Sequence, residues 1–275
     1  MTDENELILA ATVGASAAVA KEAYNDLLHP AAQELGQSLG YVARFVKTVF
    51  KGFEVAADHI DKQCDKFIAK VEETVESIPP ERRIEPSLGV FQSIVSGSWG
   101  ALDSDLMQEL FLNLLKSAID KTTASRAFPN YGEIIKQLTP DEALLLVFFK
   151  KYPEFHPIIN IVEKKPNPSK AYRIVKEKIT LLPQHVNIKY QQNIPIYLEN
   201  LSRLGIISIT FTKTVLDLNL YKQLEQTPES INTINTIKLT PNTQCGIERG
   251  IFNLTNFGKS FCDICISDKT VESFL

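Results

Sequence analysis

The side chains best suited to chemistry in this 275-residue chain are few and scattered. Cys262 and Cys265 form a C-x-x-C pair near the C-terminal end, a spacing used by redox dithiols and by half of a zinc site. No second half-site accompanies them: Cys245 is the one other thiol nearby, and Cys64 lies far upstream. On an apolar helix beside Phe257 and Phe261 the simpler role is burial of two small side chains, with oxidation or metal binding as the alternatives. The histidines are His29, His59, His156 and His185. His29 precedes Pro30 and suits a helix cap. His59 and Cys64 stand five apart, which does not bring two ligands to one helix face. There is no P-loop, no dinucleotide-binding glycine fingerprint, no H-E-x-x-H and no G-x-S-x-G. The expectation is a protein with no catalytic centre, metal or cofactor.

Two charged groups invite a binding role instead. Glu81, Arg82, Arg83 and Glu85 follow Pro79-Pro80, either as an ion-paired linker between two helical units or as an interaction surface. Residues 163–189 hold seven basic residues, Lys164, Lys165, Lys170, Arg173, Lys176, Lys178 and Lys189, against Glu163 and Glu177. Such a segment can contact phosphates or anionic lipid, or simply form a solvated basic face. The helix expected at 194–204 is mostly apolar, whereas base readout wants Arg, Asn or Gln projecting into a groove. Gln191, Gln192 and Asn193 lie just ahead of it. Protein docking is therefore expected ahead of sequence-specific DNA binding. Bulk charge agrees: residues 1–137 hold 13 Lys+Arg against 20 Asp+Glu, and residues 138–275 hold 16 against 13. Neither half is basic enough to bind nucleic acid on charge alone.

These residues sit on a helical scaffold. Residues 6–28 read as a first helix and 30–78 as a long amphipathic stretch. Its apolar positions, from Leu35 and Leu39 through Phe53, Cys64, Phe67, Val71, Val75 and Ile78, are spaced by threes and fours. A stripe this long needs a long partner, so a helical hairpin or bundle is implied. Pro79-Pro80 ends it. Helices follow at 86–96, from Asp103 or Ser104 to about Lys121, and at 131–138. Thr139-Pro140-Asp141-Glu142 is a strong helix start. Tyr152–Pro168, with four prolines, reads as irregular. Helices are expected at 169–182 and 194–204, strands at 206–212, 234–240 and 250–254, a last helix capped by Thr255, and a loose tail from Ser267. The fold class is mainly α with a small β component. Residues 1–78 form a long-helix hairpin, 79–138 a central helical region, 139–266 a winged-helix-like α+β domain and 267–275 a flexible tail. The passage L-E-N-L-S-R-L-G-I-I-S-I, from a helix through Gly205 straight into an apolar strand, motivates the winged-helix assignment.

Four motifs resemble the abortive-infection alpha family of bacterial proteins. They are Y-N-D-L-L-H-P-A-A-Q-E-L-G-Q-S-L-G, P-P-E-R-R-I-E-P, L-M-Q-E-L-F-L-N-L-L-K-S-A-I-D-K and F-P-N-Y-G-E-I-I-K-Q-L-T-P-D-E-A, in this order over about residues 24–145. The resemblance leads one to expect a histidine before Pro129. This chain has Phe128, which argues against a polar role there. What the resemblance implies is phage resistance, with the infected cell halted or killed; it transfers no catalytic residues. In the first motif, Asp26, Pro30, Gly36 and Gly40 mark the family. Gly36 and Gly40 share a helix face, which lets the small-residue run Leu7–Ala20 pack closely.

That run is uncharged, but its 14 residues reach only about 21 Å, short of a bilayer core of roughly 30 Å. A buried soluble helix is the first reading, and conditional contact with the inner membrane by Leu7–Ala20 and the apolar face Leu35–Phe53 is the second. The N-terminus M-T-D-E-N-E is acidic where a secretory signal would be basic, so a cytoplasmic location with free thiols is expected. The expected partners are a protein or phage-derived trigger, with the inner membrane or a second copy as further candidates and nucleic acid as the weaker alternative.

Overall fold

The computed structural model describes residues 58–165 and 172–275. The readings for Leu7–Ala20, Asp26, His29, Pro30, Gly36, Gly40, the stripe before Asp58 and Lys170 fall outside the described residues. What is described is mainly helical with one small antiparallel sheet. It divides into two compact units: residues 58–143 with Ser260–Phe274, and residues 144–259.

The first unit is built from helices α1 (Asp58–Glu76), α2 (Leu88–Ser98), α3 (Asp105–Ile119) and α4 (Pro129–Ile135). It also takes the start of α5 (Pro140–Lys151) and the chain from Ser260 onward. In α1 the sequence stripe is the buried face: Cys64, Phe67, Val71 and Val75 are all buried, followed by Ile78. Lys62, Asp65, Lys66, Glu72, Glu73 and Glu76 are exposed. In α3, Leu106, Leu110, Phe111, Leu114, Leu115 and Ala118 are buried, as their spacing requires. Ser104 caps this helix, its Oγ accepting from the Met107 N–H at 3.4 Å. At Gly97, one residue past the end expected for the helix at 86–96, the chain is still in α2. A methyl group here would collide with the Phe111 ring, so the glycine lets α2 approach α3.

Thr139 and Glu142 form a capping box at the start of α5. Glu142 Oε2 accepts from the Thr139 backbone N–H at 2.7 Å, and the Glu142 N–H donates to Thr139 Oγ1 at 3.2 Å.

The expected loose tail is instead helix α11 (Asp268–Phe274). Ser267 caps it by accepting from the Thr270 N–H at 3.1 Å. The buried Thr270 Oγ1 accepts from Asn113 Nδ2 at 3.1 Å, so a polar residue of α3 fixes a segment that composition alone leaves unassigned.

The second unit carries strands β1 (His156–Lys164), β2 (Tyr172–Ile179), β3 (Ile207–Thr210) and β4 (Gln244–Leu254) in the order β2-β1-β4-β3, all antiparallel. Its helices are α6 (Leu182–His185), α7 (Ile194–Arg203), α8 (Asn219–Glu225), α9 (Pro228–Leu239) and the start of α10 (Asn256–Cys265). Ile159 and Ile161 of β1 join Ile179, Tyr221, Leu224 and Ile237 in a buried cluster under α8 and α9.

The second unit departs from three sequence expectations. The irregular loop at 152–168 and the helix at 169–182 are a strand pair, β1 and β2. Pro157 is tolerated because β2 pairs with β1 only from Ile159 onward, so Pro157 has a partner strand on one side alone. The lysines and glutamate of β2 favour helix, but pairing with a buried apolar strand overrides that preference. The strand expected at 234–240 lies in helix α9. Its threonines and isoleucines suggest a strand, yet Thr227-Pro228-Glu229 starts a helix, with Thr227 Oγ1 accepting from the Ser230 N–H at 3.3 Å.

Elsewhere the passage into β3 follows the sequence. Gly205 adopts φ +74° directly after α7, the left-handed turn that glycine allows, and β3 begins two residues later. Thr255 caps α10 as expected, accepting from the Gly258 N–H at 2.9 Å.

Candidate functional site

The C-terminal end of α5 and the first residues of β1 build an aromatic corner in the second unit. Phe148, Phe149 and Tyr152 come from the end of the helix, Pro153 stops it, and Glu154 and Phe155 lead into His156. The Tyr152 carbonyl is one of the orphan acceptors at the end of a helix. His156 Nε2 lies 2.9 Å from it, and a carbonyl can only accept, so Nε2 carries the proton. His156 pairs across the sheet with Phe252, and the two rings stack with centroids 5.2 Å apart. Phe148 lies against His156 and stacks on His185 of α6, with 16° between the latter planes. Burial lowers the His156 pKa below its ordinary value, and its bond to the Tyr152 carbonyl only partly opposes this.

These rings wall a cleft of about 480 Å³. Phe148, Tyr152, Phe155, His156, His185 and Phe252 line it, and Tyr152 and Phe155 remain 43% and 57% exposed. Among the described lining residues there is one carboxylate, Glu154, and no lysine, arginine, serine, threonine or cysteine. A mainly apolar hollow with a few polar groups has the character of a ligand-binding site. Without a nucleophile beside the imidazoles, its evident use is to hold a group rather than to transform one. Sequence reading missed this corner because the prolines around Y-P-E-F-H-P suggested a loop. The density of rings there was the available signal.

The basic segment folds into a lattice of ion pairs. Arg173 pairs with the buried Glu163, Nε to Oε2 at 3.0 Å, and Lys176 pairs with Glu229 of α9. Lys178 Nζ lies 2.7 Å from both Glu177 and Glu199. Burial alone would lower the Lys178 pKa, but the hydrogen bonds it donates to the two carboxylates outweigh this and raise the value. Lys178 also takes φ +51° at a bulge in β2, where its N–H donates to the buried Asn160 Oδ1 at 2.9 Å. Lys164 and Lys165 are exposed.

The linker arginines are similarly engaged within the first unit. Arg82 Nε donates to Asp120 Oδ1 at 3.2 Å and Arg82 Nη2 to Thr122 Oγ1 at 2.9 Å. Arg83 Nε donates to the Ile78 carbonyl at 2.7 Å, at the end of the α1 segment, and Arg83 bridges to Asp120 through the backbone. Glu85 is exposed. Cys262 and Cys265 are buried on α10, and neither is in a disulfide. Phe128 packs edge-on against Tyr131, whose hydroxyl lies 2.9 Å from Ser260 Oγ, so this position serves as an apolar contact.

No curated protein matches the chain. Among solved structures, the uncharacterized protein from the hydrocarbon-degrading marine bacterium Alcanivorax borkumensis SK2 aligns with 54% of this chain and 96% of its own, at 13% identity and a TM-score of 0.35. The family model described as Abortive infection alpha matches residues 60–265, from within α1 to the end of α10, so residues 144–259 of the second unit and most of the described first unit fall inside the match. The chain belongs to the abortive infection alpha family.

Proposed function

We propose that the chain is a non-enzymatic anti-phage protein whose second unit is a winged-helix-like docking module and whose N-terminal helical region is the effector. Family membership supports the abortive-infection role. The aromatic cleft is the observation that carries the docking role, because it offers exposed rings without a nucleophile. The winged-helix reading is supported by the chain order α5, β1, α6, α7, β3, β4 and by the sheet order β1-β4-β3. In this reading β2 is an addition after β1, and α8 and α9 are inserted between the two wing strands. On the effector side, the uncharged run Leu7–Ala20 and the apolar face Leu35–Phe53 supply membrane-binding surface once released. The run Leu7–Ala20 reaches only about 21 Å against a bilayer core of roughly 30 Å, so the proposed engagement is peripheral.

Phage plating on cells carrying the wild-type gene, a deletion of residues 1–28, or Tyr152→Ala/Phe155→Ala tests this reading. Wild type is expected to lower plating efficiency and both variants to restore it. Equal plating with and without the wild-type gene would overturn the role in defence. Full protection by the double variant would overturn docking through the cleft. Liposome leakage and membrane fractionation before and after infection test the effector mode, and a protein that stays soluble and leaves liposomes intact in both states rules it out.

A further inference from the structure

The cleft's electrostatics narrow what can enter it. Aromatic faces carry negative charge density. The one carboxylate among the described lining residues is Glu154, and no lysine or arginine is among them. His156 is held toward its neutral form by burial. A phosphate or carboxylate ligand would meet ring faces and Glu154, with Lys151 over the Tyr152 ring as a counter-charge outside the lining, while a cation would meet rings and a carboxylate together. The chain already places one cation against this wall, since Lys151 Nζ lies 5.6 Å from the centre of the Tyr152 ring.

Size and openness narrow it further. A free small molecule usually needs most of its surface buried to bind well. Here Tyr152 and Phe155 stand at the rim, 43% and 57% exposed, which leaves an open trough. A trough suits a side chain that remains attached to a backbone outside it. Of the two cationic side chains, arginine fits better. Its flat guanidinium stacks on rings such as the exposed Tyr152 and Phe155, and its paired N–H groups match a carboxylate.

Resting on the docking reading, we propose that the cleft receives an arginine side chain of a protein partner, stacked on the exposed Tyr152 and Phe155 rings and paired with Glu154. The source of specificity is charge together with planarity, so citrulline, the neutral planar analogue, separates the two.

The test is an NMR titration of the full chain with three short capped peptides that differ only in a central arginine, citrulline or glutamate. Ring-current shifts of the central side chain report entry into the cleft. The arginine peptide is expected to bind about fivefold tighter than the citrulline peptide, the size of an exposed cation–π contact with a rim ion pair. Glu154→Gln is expected to weaken arginine binding by about threefold and leave citrulline unchanged. Phe155→Ala is expected to weaken both. Far-UV circular dichroism of each variant separates lost binding from lost fold. Equal binding of arginine and citrulline, tighter binding of glutamate, or no shift at tens of millimolar peptide overturns the proposal. If Tyr152→Ala/Phe155→Ala abolishes defence while the arginine peptide fails to bind, the docking reading stands and the arginine assignment falls.

Discussion

Asp120 gives the sharpest test of how the first unit is held. It follows the last residue of α3 and is buried, with four side-chain hydrogen bonds converging on its carboxylate. Two come from Arg82. The others come from the Thr122 backbone N–H at 2.9 Å and the Thr122 hydroxyl at 2.8 Å. Replacing Asp120 by alanine leaves the Arg82 guanidinium and the Thr122 N–H without this partner. The Arg82 side chain is 44% exposed, so water recovers part of the loss and its pairing is worth about 1 kcal/mol. The lost acceptor for the Thr122 N–H and hydroxyl adds about 1–2 kcal/mol, giving about 2–3 kcal/mol for Asp120→Ala. Arg82→Met should lose only the first part, about 1 kcal/mol. Trp99, the sole tryptophan, lies in this unit, so urea unfolding followed by its fluorescence reads the first unit alone. Acidity supplies a second reading. Burial by itself would raise the Asp120 pKa, but the bonds from Thr122 and Arg82 outweigh it and lower it below the ordinary 3.8. The unfolded chain therefore takes up the proton first. The stabilisation is complete well above pH 3.8 and is lost as pH falls through the lower folded value, a dependence that Asp120→Asn should flatten. An Asp120→Ala loss below about 0.5 kcal/mol, or no coupling to Arg82 in a double-mutant cycle, would refute the clamp. Arg82 would then return as a candidate contact residue.

Three further outcomes are expected. Between its ordinary value of 6.5 and its lowered folded value, His156 makes stability fall as pH falls, because the unfolded chain binds the proton first; His156→Phe should flatten that slope in pH-dependent unfolding of the second unit. Glu142→Ala removes half of the capping box at α5 and should destabilise the first unit by about 1 kcal/mol in urea unfolding, with Glu142→Gln retaining most of it. Gly258→Ala drives a methyl into the Ile206 carbonyl and should destabilise the second unit by about 1–3 kcal/mol in thermal unfolding, whereas Gly100→Ala, with open space around it, should not.

Legibility in the sequence followed the range of the interactions. The buried faces of α1 and α3 were readable because three-and-four spacing is a local property that burial preserves. The caps at Ser104, Thr139 and Thr255 were readable for the same reason: donor and acceptor lie within one helical turn. The β1–β2 pair was hidden because its stability comes from β4 on the far side of β1, some 80 residues away in sequence. Helix α11 was hidden because it depends on Asn113. The cleft assembles Phe148, His185 and Phe252 from three distant stretches, and no spacing rule joins them. The packing proposed for Gly36 and Gly40 lies outside the described residues, and the same device operates at Gly97 and Gly258.

The basic segment shows why charge counted along a sequence is a poor guide to charge presented by a fold. Counted locally, residues 163–189 hold seven cations against Glu163 and Glu177. Folded, Arg173 is held by Glu163, and Lys176 and Lys178 draw on Glu229 and Glu199 from two helices outside the segment. A phosphate backbone gains affinity from cations that are free to exchange small counterions, and these three already have fixed carboxylate partners. To recruit them, a nucleic acid would have to break pairs that also fix the β2 bulge and hold α7 and α9 to the sheet. Each exposed pair is worth about 0–1 kcal/mol, so these pairings reduce what phosphate contact would gain, and Lys164 and Lys165 are the exposed cations beside them. The aromatic cleft, by contrast, leaves its rings at 43% and 57% exposure and its carboxylate at the surface. Of the two candidate surfaces on this unit, the cleft keeps its rim rings and carboxylate exposed, and the cation a partner would displace there is Lys151 over Tyr152.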